Sequence, residues 1–243
     1  MPYVVNEGAN IHYKVEGQGP GVILQHGFFG SMEDWYEYGY VDALKDYYQV
    51  ILVDARGHGK SEKLYEASQY APYLRAKDII TVMDAVGVEK SHYIGYSMGG
   101  WISFGLMRWF SNRFNSFILN GAHPFPTDLD NLRGAVQTLE EWVPQFKTSE
   151  ANKKRLLNND KKALLAAIEE KRVDNTEVVT NVKVPCLMLA GEEDALLENA
   201  RAGAALTPLA KFEMIPGADH GDSLYCSHLT IPMIQQFLMN VPS

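Results

Sequence analysis

The stretch YIGYSMGGW, residues 93–101, places one serine, Ser97, between two glycines at the boundary of two different patterns. A strand-like run, SHYIGY (91–96), comes before the serine, and an apolar helix-like run, MGGWISFGLMRWF (98–110), comes after it. Glycine weakens both strands and helices, so its presence here needs a geometric reason. A sharp turn from strand to helix supplies that reason, because a missing β-carbon relieves crowding between neighbouring segments.

The same alternation of strand-like and helix-like segments extends over most of the chain. Strand-like runs lie at 3–5, 11–15, 21–25, 49–55, 91–96, 115–122, 186–191 and 211–216. Helix-like segments separate most of these runs, for example YLRAKDIITVMDAVG at 73–87. Apolar strands that alternate with helices predict an α/β fold, in which a mostly parallel central sheet carries helices on both faces.

The pattern changes between about residues 125 and 180, where the segment is polar and helix-like and shows no strand-like run. We therefore predict a core built from residues 1–124 and 181–243, with a helical insertion at 125–180 over one end of the sheet. Apolar residues of the insertion recur near helical spacing, and most of them must pack against the core.

Ligands of such sheets bind outside the carboxyl ends of the strands, so the residues just after each strand-like run are site candidates. Ser97 follows one run, the acids Glu192, Glu193 and Asp194 follow another, and His220 follows the last. These are a nucleophile, an acid and a base, in the chain order serine, acid, histidine. Position after a strand alone leaves the choice among the three acids open.

These residue types suit nucleophilic catalysis by a serine. A serine hydroxyl is a weak nucleophile, so it needs a histidine to take its proton and a carboxylate to hold that histidine in one tautomer. The oxyanion of the intermediate needs backbone N–H donors. One donor is the N–H of Met98 at the start of the helix-like run. For the second we choose Phe28, in the loop HGFFG (26–30) after an earlier strand.

The motifs HGFFG, DARGHGKS, GYSMGG, GEEDALL and GADHG occur in this order, and through them the chain resembles the α/β-hydrolases, in particular serine esterases and lactonases. The resemblance implies an α/β-hydrolase fold in which the insertion at 125–180 forms a small helical cap. It also implies Ser97 as the nucleophile, His220 as general base and then acid, and Asp194 as the acid that orients His220. The N–H groups of Phe28 and Met98 would form the oxyanion hole.

The resemblance leaves the substrate open. We expect a small to medium carboxylic ester or a lactone, with Phe29, Trp142 and Phe146 lining its pocket. The same triad also serves carbon–carbon hydrolases, thioesterases, amidases and perhydrolases in the family. Some look-alikes keep the triad and act as small-molecule receptors with slow or single turnover. Epoxide and haloalkane hydrolysis are disfavoured, because relatives with those activities carry aspartate at the position of Ser97.

Several of these residues have a plainer interpretation. Ser97 could be only a helix N-cap, since serine is favoured there. His228, at the start of the last helix-like segment, is a second candidate for the base. His26, beside the oxyanion loop, is interpreted as a support for that loop. Trp101 and Trp109 are assigned to packing, because their helix-like run is apolar almost all round.

Composition narrows the possible partners. The net charge is −8 and the basic residues are scattered, which argues against nucleic acid and against an anionic membrane surface. Cys186 and Cys226 give neither a disulfide framework nor metal-ligand spacing, and we expect no metal and no cofactor. The sequence shows no signal-peptide pattern and no apolar run of membrane-spanning length. We expect a cytoplasmic protein whose partner is a small-molecule ester.

Overall fold

Eight strands form one mostly parallel sheet in the computed structural model, which describes residues 2–146 and 148–242. The strands are β1 Tyr3–Asn6, β2 Ala9–Glu16, β3 Gly21–Gln25, β4 Gln49–Val53, β5 Ser91–Tyr96, β6 Phe114–Asn120, β7 Cys186–Gly191 and β8 Ala210–Ile215. Their order across the sheet is β1-β2-β4-β3-β5-β6-β7-β8. The pairs β1–β2 and β2–β4 are antiparallel, and all later pairs are parallel. The predicted α/β fold is confirmed.

Helices connect the strands and cover the sheet. In the described residues they are α1 Glu33–Glu37, α2 Tyr40–Leu44, α3 Pro72–Ala85, α4 Met98–Phe110, α5 Asp130–Gln137, α6 Leu139–Trp142, α7 Glu150–Leu157, α8 Lys161–Glu169, α9 Thr176–Asn181, α10 Leu197–Leu206, α11 Asp222–Tyr225 and α12 Ser227–Met239. Short 3₁₀ turns lie at Ala67–Tyr70, Ser111–Arg113 and Val143–Gln145.

The sheet is buried on both faces, and strand β3 shows why its sequence is a continuous apolar run. Ile23 packs into the cluster on the α3 and α4 face, whereas Val22 and Leu24 pack into the cluster on the α2 and α12 face. All three side chains are fully buried. Because successive side chains of a strand point to opposite faces, a strand covered on both sides must be apolar at every position.

The strand register brings the candidate loops to one edge of the sheet. Gln25, the last residue of β3, pairs with Gly95, and Tyr96, the last residue of β5, pairs with Asn120. Gly191 at the end of β7 pairs with Ile215 at the end of β8. The loops after β3, β5, β7 and β8 therefore start from the same edge.

Five helices, α5 to α9, occupy the stretch between β6 and β7, and the described residues of this stretch add no strand to the sheet. An isolated antiparallel bridge joins Thr127 to Arg172 and draws the two ends of the helical stretch together. Helix α9 packs against α4 and α10 of the core. The boundaries at 125 and 180 stay a prediction.

Within the ranges 2–146 and 148–242, no helix has the length and apolar character needed to cross a membrane. The same ranges contain no group of three or more His, Cys, Asp or Glu side chains that could hold a metal ion. Cys186 and Cys226 are both free thiols.

Candidate active site

Ser97 lies in a strained turn between β5 and α4. Its backbone has φ +51° and ψ −108°, and Glu7 is the other non-glycine residue with positive φ among the described residues. Such a conformation is costly for a residue with a β-carbon and persists only where surrounding contacts enforce it. The Ser97 N–H donates to the Asn120 carbonyl at 2.8 Å, and the Ser97 carbonyl accepts from the Trp101 N–H at 3.1 Å. These bonds hold the turn between β6 and the first turn of α4.

The glycines on either side of Ser97 allow three backbone segments to meet. A β-carbon on Gly95 would lie 2.4 Å from the Gly99 carbonyl group, and one on Gly99 would lie 2.1 Å from the Gln25 carbonyl oxygen. Real β-carbons do not approach backbone atoms so closely. The ends of β3 and β5 and the start of α4 can therefore pack only around glycine.

We expect Gly99→Ala to lower the free energy of unfolding by about 2 kcal/mol or more, because backbone atoms would have to shift. Gly134→Ala in α5 is the matched control, since a β-carbon there meets nothing within 4 Å. Alanine at a helix position should stabilise the protein by up to about 1 kcal/mol. Urea unfolding of both variants measures the difference. Equal midpoints would contradict the close approach at Gly99.

The structure brings Ser97, His220 and Asp194 together from three loops. The His220 Nε2 atom lies 2.9 Å from Ser97 Oγ, and His220 Nδ1 lies 2.8 Å from Asp194 Oδ2. A carboxylate can only accept, so Nδ1 of the neutral ring carries the proton and Nε2 is left to accept from the Ser97 hydroxyl. Asp194 Oδ1 accepts a second bond from the Leu196 N–H at 2.8 Å.

The carboxyl group of Asp194 is buried, and its negative charge is stabilised by neighbouring hydrogen-bond donors. Burial raises its pKa, but the hydrogen bond and charge of His220 and the Leu196 N–H outweigh burial, so the net pKa lies below the usual value. Glu192, by contrast, accepts from the Gly217 N–H at the surface, and Glu193 is exposed. His228 is exposed on α12. Of the candidates that the sequence left open, the structure therefore joins only Asp194 and His220 to Ser97.

The two chosen backbone donors lie on segments that meet at the serine, since a β-carbon on Gly27, next to Phe28, would lie 3.5 Å from Ser97 Cβ. Met98 is the first residue of α4, and Phe28 lies in the loop after β3, where the Gly30 N–H donates to the Gly27 carbonyl at 3.1 Å. Neither the Phe28 nor the Met98 N–H donates to a carbonyl in the turns and caps of the described residues. Donors without an internal partner are what an oxyanion hole requires.

The insertion holds this loop in place through residues that the sequence did not single out. Asn159 Nδ2 donates to the Phe29 carbonyl at 2.8 Å. Asp34 accepts from the Ser31 N–H and lies 3.6 Å from Arg155 of α7. Burial raises the pKa of Asp34 to about 6. Asn159 lies in an ordinary polar run about 130 positions from its partner, so no local pattern could reveal the contact.

The sequence profile of the alpha/beta hydrolase fold family matches residues 20–157, which is more than half of the chain. The chain belongs to this family. The 2-hydroxy-6-oxo-6-phenylhexa-2,4-dienoate hydrolase of Comamonas testosteroni is 34% identical over 158 residues, covering 58% of this chain and 55% of that protein. The bifunctional esterase/perhydrolase DCH of Acinetobacter calcoaceticus is 24% identical over 91% of this chain and 93% of its own length.

The chain spans less than half the length of the first curated relatives it matches, from 42% of one Bacillus subtilis protein down to 17% of a rat epoxide hydrolase. Solved structures show the same fold over the whole chain. A thermophilic esterase from Thermogutta terrifontis superposes with a TM-score of 0.85 at 23% identity, covering 98% of both chains. The enol-lactonase from Burkholderia xenovorans LB400 gives 0.86 at 20% identity, covering 98% of this chain and all of that one.

His26 of this family member is the first residue of the loop HGFFG (26–30). Its Nε2 atom accepts from the Ala55 N–H at 3.0 Å, and its Nδ1 lies 2.7 Å from the Gly27 carbonyl, to which it donates. Burial lowers the pKa of His26, and it lowers that of neighbouring His58 to about 3. Both rings are therefore neutral, and the contacts of His26 fit a supporting role.

The three residues chosen for the pocket form an aromatic row beside the oxyanion loop. Phe28 contacts Phe29, Phe29 contacts Trp142, and Trp142 contacts Phe146, with ring centroids 4.9, 5.4 and 5.7 Å apart. Trp142 Nε1 donates to the Ala135 carbonyl at 2.9 Å. The row connects the oxyanion loop to the insertion.

A cavity of about 330 Å³ next to Met98 is lined by residues other than the three chosen for the pocket. Phe28 and Met98 line it, but Phe29, Trp142 and Phe146 do not. Trp101 and Trp109 line it as well, and Trp109 is 43% exposed. The assignment of Trp109 to packing is therefore wrong. Its helix is apolar almost all round, so the sequence could not show which face the rest of the protein leaves uncovered.

Proposed function

We propose that this hydrolase cleaves small to medium carboxylic esters, including lactones, through an acyl-enzyme on Ser97. The observation that carries the proposal is the pair of short contacts from His220, 2.9 Å to Ser97 Oγ and 2.8 Å to Asp194 Oδ2. Relatives and structural neighbours that are named as an esterase, an esterase/perhydrolase and a lactonase support it.

In the first step Ser97 Oγ attacks the ester carbonyl carbon, and its proton passes to His220 Nε2. The carbonyl electron pair moves to the oxygen, where the N–H groups of Phe28 and Met98 stabilise the negative charge. The carbon–oxygen bond to the alcohol then breaks, and His220 gives its proton to the leaving oxygen. The acyl group stays on Ser97 as an ester.

In the second step a water molecule attacks the acyl carbon while His220 takes one of its protons. The same two amides stabilise the second oxyanion. The bond between the acyl carbon and Ser97 Oγ breaks, and the proton on His220 returns to the serine. In both steps Asp194 keeps the His220 ring in one tautomer and stabilises its transient positive charge.

In this proposal residues 125–180 act as the helical cap over the serine. The hydrogen bond from Asn159 to the Phe29 carbonyl and the contact of Trp142 with Phe29 support this, because both join the helical stretch to the oxyanion loop. The cap then excludes bulk water from the acyl-enzyme, except for the molecule that hydrolyses it.

Carbon–carbon hydrolysis is a second candidate, and the 34% identity to the Comamonas testosteroni dienoate hydrolase favours it. The same serine, histidine and acid would serve both reactions. Activity on simple esters that lack the dienoate group would favour the ester hydrolase.

A panel of p-nitrophenyl esters with acyl chains of increasing length tests the proposal. We expect many turnovers per protein molecule, and a maximum rate at short to medium chains. Release of one p-nitrophenol per protein without a steady state would instead indicate a single-turnover receptor. No release from any ester or lactone would contradict the proposed function.

A further inference from the structure

The cavity beside Met98 lies between α4, the start of α3 and the loop from α8 to α9. Its apolar walls include Phe28, Met98 and Ile102, so one end of the cavity reaches the two residues whose N–H groups are proposed as the oxyanion hole. Its volume of about 330 Å³ is at the small end of ligand pockets. Ser97, Asp194 and His220 do not line it, so the cavity adjoins the proposed active site through Phe28 and Met98.

The charges around this cavity are unlike those of the protein as a whole. Four cationic side chains and one acid, Glu170, line it, whereas the whole chain carries a net charge of −8. The cationic side chains are Arg75, Arg108, Lys171 and Arg172. A concave, mostly apolar site in which charges of one sign predominate attracts ligands of the opposite sign.

Arg75 is held at the inner end of the cavity by neutral groups. Its guanidinium donates to the carbonyls of Tyr70 and Ala167, each at 2.8 Å, and Nη1 lies 3.3 Å from the Met98 sulfur. No carboxylate pairs with it among the described residues. Burial lowers the pKa of Arg75 to about 10, so the side chain keeps its charge at neutral pH. A fixed positive charge thus lies against the residue that follows Ser97.

Arg172 carries a second charge without a counter-ion. Its guanidinium lies 4.6 Å from the centre of the Trp101 ring. In the part of the chain that the structure describes, this guanidinium makes no hydrogen bond and no ion pair, although the backbone of Arg172 bridges to Thr127. Burial and the nearby charge of Arg75 lower the pKa of Arg172 to about 9. Partly buried charges without a partner are unfavourable, and an anion placed between them would remove that cost.

We infer that this cavity binds a carboxylate carried by the acyl part of the substrate, so that monoesters of short dicarboxylic acids are preferred over neutral esters. This inference rests on the proposed function. The acyl part is assigned to the cavity because Phe28 and Met98 line it, whereas His220, which protonates the leaving alcohol, does not. A guanidinium offers parallel N–H donors that match the two oxygens of a carboxylate.

The test compares two esters of equal chain length, mono-p-nitrophenyl glutarate and p-nitrophenyl pentanoate. We expect kcat/KM for the glutarate ester to be at least about tenfold higher, which is the scale of one charged hydrogen bond. In Arg172→Gln the ratio of the two kcat/KM values should fall by about tenfold or more. In Arg172→Lys, which keeps the charge and loses the fork, the ratio should fall less.

Arg201→Gln is the matched control. Arg201 also lies over an aromatic ring, 4.9 Å from the centre of Phe212, but it does not line the cavity. We expect Arg201→Gln to leave the ratio within twofold of the parent protein. A preference for the neutral ester in the parent protein, or an unchanged ratio in Arg172→Gln, would overturn the inference. Thermal unfolding of each variant shows whether a lower ratio accompanies loss of the fold.

Binding to Ser97→Ala separates this inference from the proposed reaction. Calorimetry with monomethyl glutarate should show binding to Ser97→Ala, and at least about tenfold weaker binding to the double variant with Arg172→Gln. If esters are not hydrolysed but this binding difference is found, the cavity is assigned correctly and the proposed reaction is wrong. If esters are hydrolysed without a preference for the anionic acyl group, the reaction stands and the inference fails.

Discussion

Replacing Ser97 with alanine is expected to lower kcat on every ester that the protein hydrolyses by roughly 10⁵-fold. The substitution removes the oxygen that attacks the carbonyl carbon and forms the acyl-enzyme. The N–H groups of Phe28 and Met98 remain, so a small rate above that of water should persist. The fold should survive, because Ser97 Oγ bonds only to His220 among the described residues and the backbone of the turn is held by Asn120.

Ser111→Ala is the matched control for this experiment. Ser111 follows the other end of α4, so its replacement changes the same residue type without reaching the turn. We expect kcat within twofold of the parent protein. Steady-state rates and thermal unfolding of both variants provide the measurement. If Ser97→Ala keeps the parent rate on an ester, Ser97 is not the nucleophile.

Asp194→Asn is expected to lower kcat by roughly 10⁴-fold with little change in KM. The amide can donate to His220 Nδ1, and the imidazole proton then moves to Nε2, which can no longer accept from Ser97. The side-chain volume hardly changes and the Leu196 N–H still finds an oxygen, so the shape of the site should persist. The loss should appear in kcat, because Asp194 acts on the reacting groups through His220 and does not touch the substrate.

Glu192→Gln tests whether the acid is assigned correctly. Glu192 follows the same strand as Asp194, but it accepts from the Gly217 N–H at the surface. We expect its replacement to change kcat by less than twofold. A loss in Glu192→Gln as large as that in Asp194→Asn would show that the carboxylate near His220 has been misidentified.

The α/β fold could be predicted because burial on both faces leaves a clear trace in the sequence. Strands such as β3 and β7 are apolar at every position, and the helices between them are long enough to cross over the sheet. The insertion was also visible, because polar helical segments replace the strand-like runs. Its exact boundaries were not, since α9 packs against the core helices α4 and α10.

Part of the candidate site could be predicted from the sequence and part could not. The sequence placed Ser97, His220 and three acids after strands, because strand ends can be read from apolar runs. Position after a strand did not show which acid faces His220, and only the family resemblance pointed to Asp194. That choice depends on where the chain turns after β7, and the Asp194 N–H closes that turn by donating to the Gly191 carbonyl at 3.2 Å.

The walls of the cavity lay beyond sequence reasoning. Trp109 was expected to be packed and is 43% exposed, and Arg75 and Arg172 drew no attention among scattered basic residues. Their importance comes from what surrounds them, in particular the absence of a carboxylate partner among the described residues. Such an absence is a property of three-dimensional packing and has no local signal.

By itself, the sequence determined the order of strands and helices along the chain and the sharp turn at Ser97. Both leave a local trace, because buried strands are apolar over short stretches and glycines mark the turn. Only the tertiary structure decided that Asp194 is the acid beside His220, that Asn159 holds the oxyanion loop, and that two arginines face a cavity near Met98. Each of these contacts is between residues that lie far apart in the sequence. Their distances follow from the packing of the insertion and the register of the sheet, and no local pattern contains either.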